Sequence, residues 1–201
     1  VNQSLDRLGV EAVYGLLLHQ PTQLLGDNGP ELFNALQRLK SEGRVSKIGI
    51  SIYAPEVLGE LVDRFDFDLI QAPLNIIDRR LISSGWADRL KSAGIEIHAR
   101  SAFLQGLLLM PRDKRPSKFE LWSDVWDEWD RWLGSMGVTP MQACLRFVCG
   151  LEQVDKLVVG VDTVAQLDEI VGALGGDIEN LPNFGKLMDS RLLNPAIWNQ
   201  I

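Results

Sequence analysis

One pattern constrains this chain more than any other: a short apolar run followed by an amphipathic stretch, repeated along its length. The runs are 12–18 (AVYGLLL), 45–51 (VSKIGIS), 68–72 (DLIQA), 95–101 (IEIHARS) and 154–161 (VDKLVVGV). Their length and aliphatic content mark them as strands, and the first is expected to be buried on both faces. After the first run, Leu32, Phe33, Leu36 and Leu39 fall at helical spacing over 30–42, with Gly43 beyond the end. A helix over 55–65 has Pro55 in its first turn, and one over 81–93 is closed by Gly94. A polar, proline-containing stretch at 111–118 precedes a Trp-rich helix over 119–136. Thr139-Pro140-Met141-Gln142 has the capping-box form and opens a helix reaching about 149; Thr163-Val164-Ala165-Gln166 repeats the form and opens one to about 174.

Strands joined by helical crossovers must pair in parallel, with right-handed connections. Two architectures satisfy this: an open doubly wound α/β sheet, or part of a (β/α)8 barrel. No glycine-rich phosphate fingerprint follows any run, which counts against the dinucleotide-binding open sheet. In both architectures ligands lie beyond the carboxyl ends of the strands. Those ends are His19, Ser51-Ile52-Tyr53, 71–75, 100–106 and 160–163.

With 201 residues the chain reads as a single domain over 1–201. Its 20 basic and 27 acidic residues give a net charge of -7, which argues against nucleic acid or an anionic membrane as partner. No apolar run approaches the ~20 residues of a membrane span, and no secretory signal pattern is present. Cys144 and Cys149 make no disulfide framework and have no metal-ligand neighbours; both are expected as helix-core thiols in a reducing cytoplasm. The chain opens at Val1 without a Met. Leu5 and Leu8 at helical spacing, stopped by Gly9, read as the tail of a helix that begins upstream. Residues 175–201 are expected to be irregular, with one short helix.

The strand-end segments, taken in order, resemble those of the aldo-keto reductases. Leu16-Leu17-Leu18-His19 is similar to the end of that family's fourth barrel strand, and 43–51 (GRVSKIGIS) to its fifth. Gln71-Ala72-Pro73-Leu74-Asn75 with Asp78-Arg79-Arg80 resembles the sixth strand and its loop; 101–108 (SAFLQGLL) resembles the seventh-strand loop. Val158-Val159-Gly160-Val161 with Gln166-Leu167 resembles the eighth strand and the helix after it. The resemblance runs from about 1 to 174. It implies a (β/α)8 TIM-type barrel of which this chain covers about five βα units, strands four to eight. It further implies an NAD(P)H-dependent oxidoreductase reducing a small-molecule carbonyl, with NADP or NAD as cofactor. The family's catalytic Asp, Tyr and Lys would precede Val1, so the chain is expected to be truncated and inactive alone. The alternative is a non-catalytic truncated barrel serving as a cofactor-binding or protein-interaction module. Open strand edges invite association, so a homo-oligomer, or a missing N-terminal segment covering the edges, is expected.

By the same resemblance His19 is the catalytic position, where an imidazole N–H stabilises charge developing on a carbonyl oxygen; otherwise it is a half-buried His satisfied by backbone. Ser51 and Gln71 match cofactor positions, the Gln suited to a nicotinamide carboxamide; Ile52 replaces a usual Asn. Arg100 replaces the aromatic residue on which nicotinamide stacks. It is expected either to grip an anion or to pair with a carboxylate. Ser101, Phe103 and Gln105 belong to a loop that wraps the pyrophosphate. Gly160, Thr163 and Gln166 set a strand end beside a helix N-terminus, a natural anion site. Asp162 stands where the family often has a basic residue, and Ile170 where it has an adenine-contacting Asn, which tilts the cofactor toward NAD. His98 reads as an interior residue. Trp122, Trp126, Trp129 and Trp132 read as an anchor to the barrel wall in preference to a carbohydrate platform, and 112–115 as a solvated loop.

Overall fold

Aliphatic and β-branched runs separated by helical crossovers pair side by side in chain order. The strands are β1 (Val13–Leu18), β2 (Val45–Ser51), β3 (Leu69–Pro73), β4 (Glu96–Arg100) and β5 (Lys156–Leu157), hydrogen-bonded in the order β1-β2-β3-β4-β5. The structure is a computed structural model that describes residues 1–184 and 189–201. It divides into two units, Val1–Ala72 with Leu81–His98, and Pro73–Arg80 with Ala99–Ile201.

In the first unit the helices are α1 (Asn2–Leu8), α2 (Gly29–Ser41), α3 (Leu58–Val62) and, beyond the short α4 (Arg80–Ser83), α5 (Trp86–Ser92). Gly9 takes a left-handed φ of 67° and ends α1, as its position implies. The helix expected over 55–65 is a 3-10 turn at Pro55–Val57 followed by the short α3. That expected over 81–93 is broken by Gly85, whose φ of 79° no helix accommodates. β1 and β2 pair in parallel with Gly15 opposite Lys47, and β2 and β3 with Gly49 opposite Leu69 and Ser51 opposite Gln71. A Cβ on Gly49 would lie 2.0 Å from the Leu69 carbonyl oxygen, so this register requires glycine there. Ile48, Ile50, Ile70 and Ile97 are fully buried. β1 is not buried on both faces: every residue is at least partly accessible and Tyr14 is 46% exposed, because this strand ends the order and bonds only to β2.

The alternate residues carry an ionic cluster. Glu96 accepts from Lys47 Nζ at 2.5 Å, from Tyr14 Oη at 2.7 and 2.8 Å, and meets His98 Nε2 at 3.1 Å. His98 is buried, as expected of an interior residue, and stacks on Tyr14. Burial works to raise the Glu96 carboxyl, but the hydrogen bonds from Lys47, Tyr14 and His98 outweigh it and hold the group at about 2. A carboxylate whose folded pKa is depressed stabilises the fold above its unfolded value, and that stability is lost as pH falls through the folded one.

In the second unit, α6 (Ser123–Met136), α7 (Pro140–Cys149), α8 (Val164–Ala173) and α9 (Ser190–Leu193) follow the end of β4. The Trp-rich helix starts at Ser123, its expected first turn being 3-10 over Ser117–Trp122. Trp122, Trp126, Trp129 and Trp132 are all buried, so they anchor the helix and form no exposed carbohydrate platform. The run 154–161 yields only two strand residues. Val158 N–H donates to Ala99 O at 2.8 Å, but β4 ends at Arg100, leaving no ladder for Val159 to Val161. Thr139 and Gln142 form a complete capping box on α7. Residues 112–115 are not uniformly solvated: Arg115 pairs with both Asp130 oxygens (2.9 and 2.5 Å) over the Trp126 ring. Cys144 is a buried thiol whose ionisation burial suppresses, whereas Cys149 is exposed in the last turn of α7 and is not a core thiol. The stretch 175–201 carries α9 and a 3-10 turn at Pro195–Gln200; residues 185–188 lie outside the described residues. Among the described residues no helix is long and apolar enough to cross a membrane.

Glu96→Gln keeps the shape and removes the charge. It should lower stability by ~1–3 kcal/mol at neutral pH. The parent should lose stability as pH falls from about 4.5 to 2, and that loss should shrink correspondingly in the variant, measured by denaturant unfolding across that range.

Candidate functional site

In the second unit, backbone strain marks the place where β4 ends. Ser101, Leu104 and Gln105 take φ values of 61°, 47° and 55°, and Gly106 takes 83°. Such conformations persist only where their surroundings impose them. Holding the first of these residues is Asn75, fully buried, which sequence reasoning passed over as part of a strand end. Its Oδ1 accepts from the amides of Ile77 (3.0 Å) and Asp78 (2.8 Å), and its Nδ2 donates to Ser101 O at 3.1 Å. One side chain therefore ties the loop after β3 to the loop after β4. The buried Asp78–Arg80 pair, joined at 2.8 Å through both oxygens, stiffens the same turn. A fully buried Asn between apolar neighbours is the signal that could have found it, since a buried amide must bond something.

The strained loop forms one wall of a cavity of about 770 Å³. Ser101, Phe103 and Gln105 line it from the loop; Gly160, Asp162, Gln166 and Glu169 line it from the end of β5 and the start of α8. Five of the residues expected in a cofactor site thus share one cavity. Phe103 also packs against the apolar cluster of Leu145, Ile170 and Ala173. A Cβ on Gly160 would meet nothing within 4 Å, so the cavity reaches this backbone. Thr163 does not line it: its Oγ1 accepts from Gln166 N at 3.2 Å and caps α8. Gln166 Oε1 accepts in turn from Asp162 N at 2.7 Å, one residue before the usual capping-box partner. Arg100 Nη1 donates to Ser101 Oγ at 3.1 Å. The amides of Ala102, Phe103, Gln105 and Gly106 donate to no acceptor among the described residues, whereas those of Leu104, Leu107 and Leu108 turn back into the loop.

In the first unit, the register that sets Ser51 opposite Gln71 brings Ser51 Oγ to donate to Gln71 Oε1 at 3.1 Å, and Ile52 N donates to Gln71 O at 2.9 Å. The two N–H donors of the Gln71 amide are unspent among the described residues. His19, at the end of β1, is exposed. Its Nε2 lies 3.5 Å from Tyr53 Oη, with the rings edge to face at 6.0 Å between centroids. The sequence placed Tyr53 at a strand end without a role; here it is the neighbour of the imidazole. Among the described residues no His, Cys, Asp and Glu group is arranged to hold a metal.

Asn75→Ala strands two buried amides and the Ser101 carbonyl, and should destabilise the protein by ~2 kcal/mol or more. Limited proteolysis should then cut first within residues 101–106.

The aldo/keto reductase family model matches residues 1–180. D-threo-aldose 1-dehydrogenase of a Pseudomonas species is 29% identical over 181 residues, 84% of this chain and 54% of that protein. L-glyceraldehyde 3-phosphate reductase of Escherichia coli O157:H7 is 28% identical over 200 residues, 87% of this chain and 57% of that protein. The chain thus spans little more than half the length of these relatives. The holo form of an aldo-keto reductase from Bacillus halodurans has the same fold, with a TM-score of 0.71 at 22% identity, covering 89% of this chain and 61% of that one. The parallel α/β sheet accordingly has the fold of about five units of a (β/α)8 barrel, in an order that does not close on itself.

Proposed function

The chain belongs to the aldo/keto reductase family, and from that premise we propose that it carries the cofactor-holding part of an NAD(P)H-dependent oxidoreductase acting on a small polar carbonyl compound. The observation that carries this reading is the cavity of about 770 Å³, walled by a strained loop and the start of a helix. Its volume suits a small-molecule site. The unspent loop amides suit an anionic diphosphate, since successive backbone N–H groups in such turns bind anions without a cation. The unspent donors of Gln71 suit a carboxamide oxygen. The residues of each unit, taken separately, therefore fit a part of a nicotinamide dinucleotide: the second unit its diphosphate and adenosine, the first its carboxamide.

In this reading, within the second unit, Ser101, Phe103 and Gln105 hold the diphosphate region and Gly160 and Gln166 the adenosine end; in the first unit, taken by itself, Ser51 and Gln71 form a polar pair whose amide donors suit a carboxamide. The bound dinucleotide supplies the hydride. His19 donates an imidazole N–H to the substrate carbonyl oxygen, where negative charge develops, and Tyr53 Oη orients the ring. The names of the relatives, an aldose dehydrogenase and a glyceraldehyde phosphate reductase, favour a sugar-derived carbonyl. The uncovered edge of β1 favours a further segment or a second copy as partner. The free thiols Cys144 and Cys149 favour a reducing, cytoplasmic setting.

Calorimetric titration of the 201-residue chain with reduced dinucleotide tests the reading. Saturable binding is expected. Gly160→Leu, which projects a side chain into open space without strain, should weaken it at least tenfold while the melting temperature stays unchanged. No binding by the parent chain, or equal binding by the variant, overturns the proposal. Binding without hydride transfer to any aldose identifies the alternative, a cofactor-binding module.

A further inference from the structure

We infer that a second cavity of the second unit, at the carboxyl end of α7, is a binding site for a small organic carboxylate with an apolar body. This cavity is separate from the larger one, which meets the start of the same helix at Pro140 and Met141.

The second cavity encloses about 450 Å³ between the last turn of α7 and the segment after α8. That volume falls in the range of small-molecule sites. Among the described residues Arg146 is the one cation that lines it. A guanidinium carries five N–H donors in a planar fork, and among the described residues those of Arg146 meet no acceptor. Its Nε is shut off from solvent as well. A buried donor without a partner is costly and calls for a reason. The last turn of α7 suits a positive charge, but a helix end accounts for the charge alone and leaves the donors unspent. The guanidinium rests on bare backbone: Gly176 takes a φ of 87°, and a Cβ there would lie 3.1 Å from Arg146 Cζ and 3.2 Å from Nη1. The amides of Gly175, Gly176 and Asp177 also donate to no acceptor among the described residues.

A fork of this kind matches the paired oxygens of a carboxylate or a phosphate. Two features choose the carboxylate. Asp177 lines the same cavity without pairing with Arg146, and it repels a dianion more than a monoanion. The remaining wall is largely apolar, with Leu151, Ile178, Leu174 and Leu181; the last two are 46% and 39% exposed. A hydrocarbon body would remove these side chains from water, which a bare phosphate cannot do.

Cys149 supplies the readout. It lines the cavity and is exposed whereas Cys144 is buried, so alkylation of the folded chain by iodoacetamide reports on Cys149. Octanoate is the probe, titrated calorimetrically into the 201-residue chain, with octanol and inorganic phosphate in parallel. Octanoate should bind saturably and slow the alkylation in proportion to occupancy. Octanol should bind roughly tenfold more weakly or worse, the size of one lost charge-assisted bond, and phosphate should also bind more weakly. Arg146→Met keeps the stem and removes the fork. Octanoate binding should fall by about the same factor, while the melting temperature of the free chain holds or rises, because no bond within the protein is lost. Asp177→Asn should tighten octanoate binding. No saturable binding by the parent chain, undiminished binding by Arg146→Met, or alkylation unchanged at saturation overturns the inference. A lower melting temperature in Arg146→Met overturns it too, since the guanidinium would then be structural. Phosphate binding tighter than octanoate overturns the assignment to a carboxylate.

Discussion

The pairing of β2 with β3 is the constraint on which the rest of the first unit depends. Side chains alternate across a strand, so a slip of one residue would exchange the two faces completely. In the observed register Ile48 and Ile50 go to the buried face, while Lys47, Gly49 and Ser51 go to the other. The slip would bury Lys47 and put both isoleucines in place of the polar contacts. Gly49 enforces the choice sterically: the Leu69 carbonyl oxygen sits where its Cβ would be, at 2.0 Å. The same register makes two polar groupings from residues distant in sequence. It sets Ser51 against Gln71, and it lets Lys47 reach Glu96.

A strained loop in the second unit is maintained by a comparable device of different chemistry. Three non-glycine residues with positive φ cost roughly 1–3 kcal/mol each. That cost is tolerable because Asn75 is buried and spends three bonds at once, two on the turn after β3 and one on Ser101 O. An apolar residue of the same size could fill the space but could not hold the loop. The strain has a consequence for chemistry. It turns several amides away from internal acceptors, which a relaxed turn would not do.

What could be read in the sequence was what local chemistry decides. β2 spans the expected residues, Gly9 ends α1, and the Thr139 capping box opens α7, because each depends on something local: a short aliphatic run, a residue free to take a left-handed φ, or a side chain reaching its own backbone. What could not be read depends on neighbours distant in sequence. β5 shrinks because β4 stops at Arg100, β1 is half-exposed because it ends the order, and Arg115 is drawn inward by Asp130 and Trp126. For the site, the grouping of Ser101, Phe103, Gln105, Gly160 and Gln166 on one cavity was legible from the strand ends taken together with the family resemblance. The cap that Thr163 places on Gln166 N was legible in the capping-box form; the role of Asn75 was not, since it depends on which partners a buried amide meets in three dimensions.

The distribution of charge connects these parts. In the first unit the carboxylate of Glu96 is fully committed to Lys47, Tyr14 and His98, and it stays ionised down to about pH 2. It therefore contributes rigidity and offers no acceptor to a ligand. In the second unit Asp162 and Glu169 are uncommitted and line a cavity. Identical functional groups thus serve opposite ends, and the difference lies in whether a cation has already met them. An uncommitted carboxylate in water costs little, so these two can be kept for a ligand without weakening the fold. The loop amides pay for the same readiness in strain, and Asn75 is the residue that makes that strain tolerable.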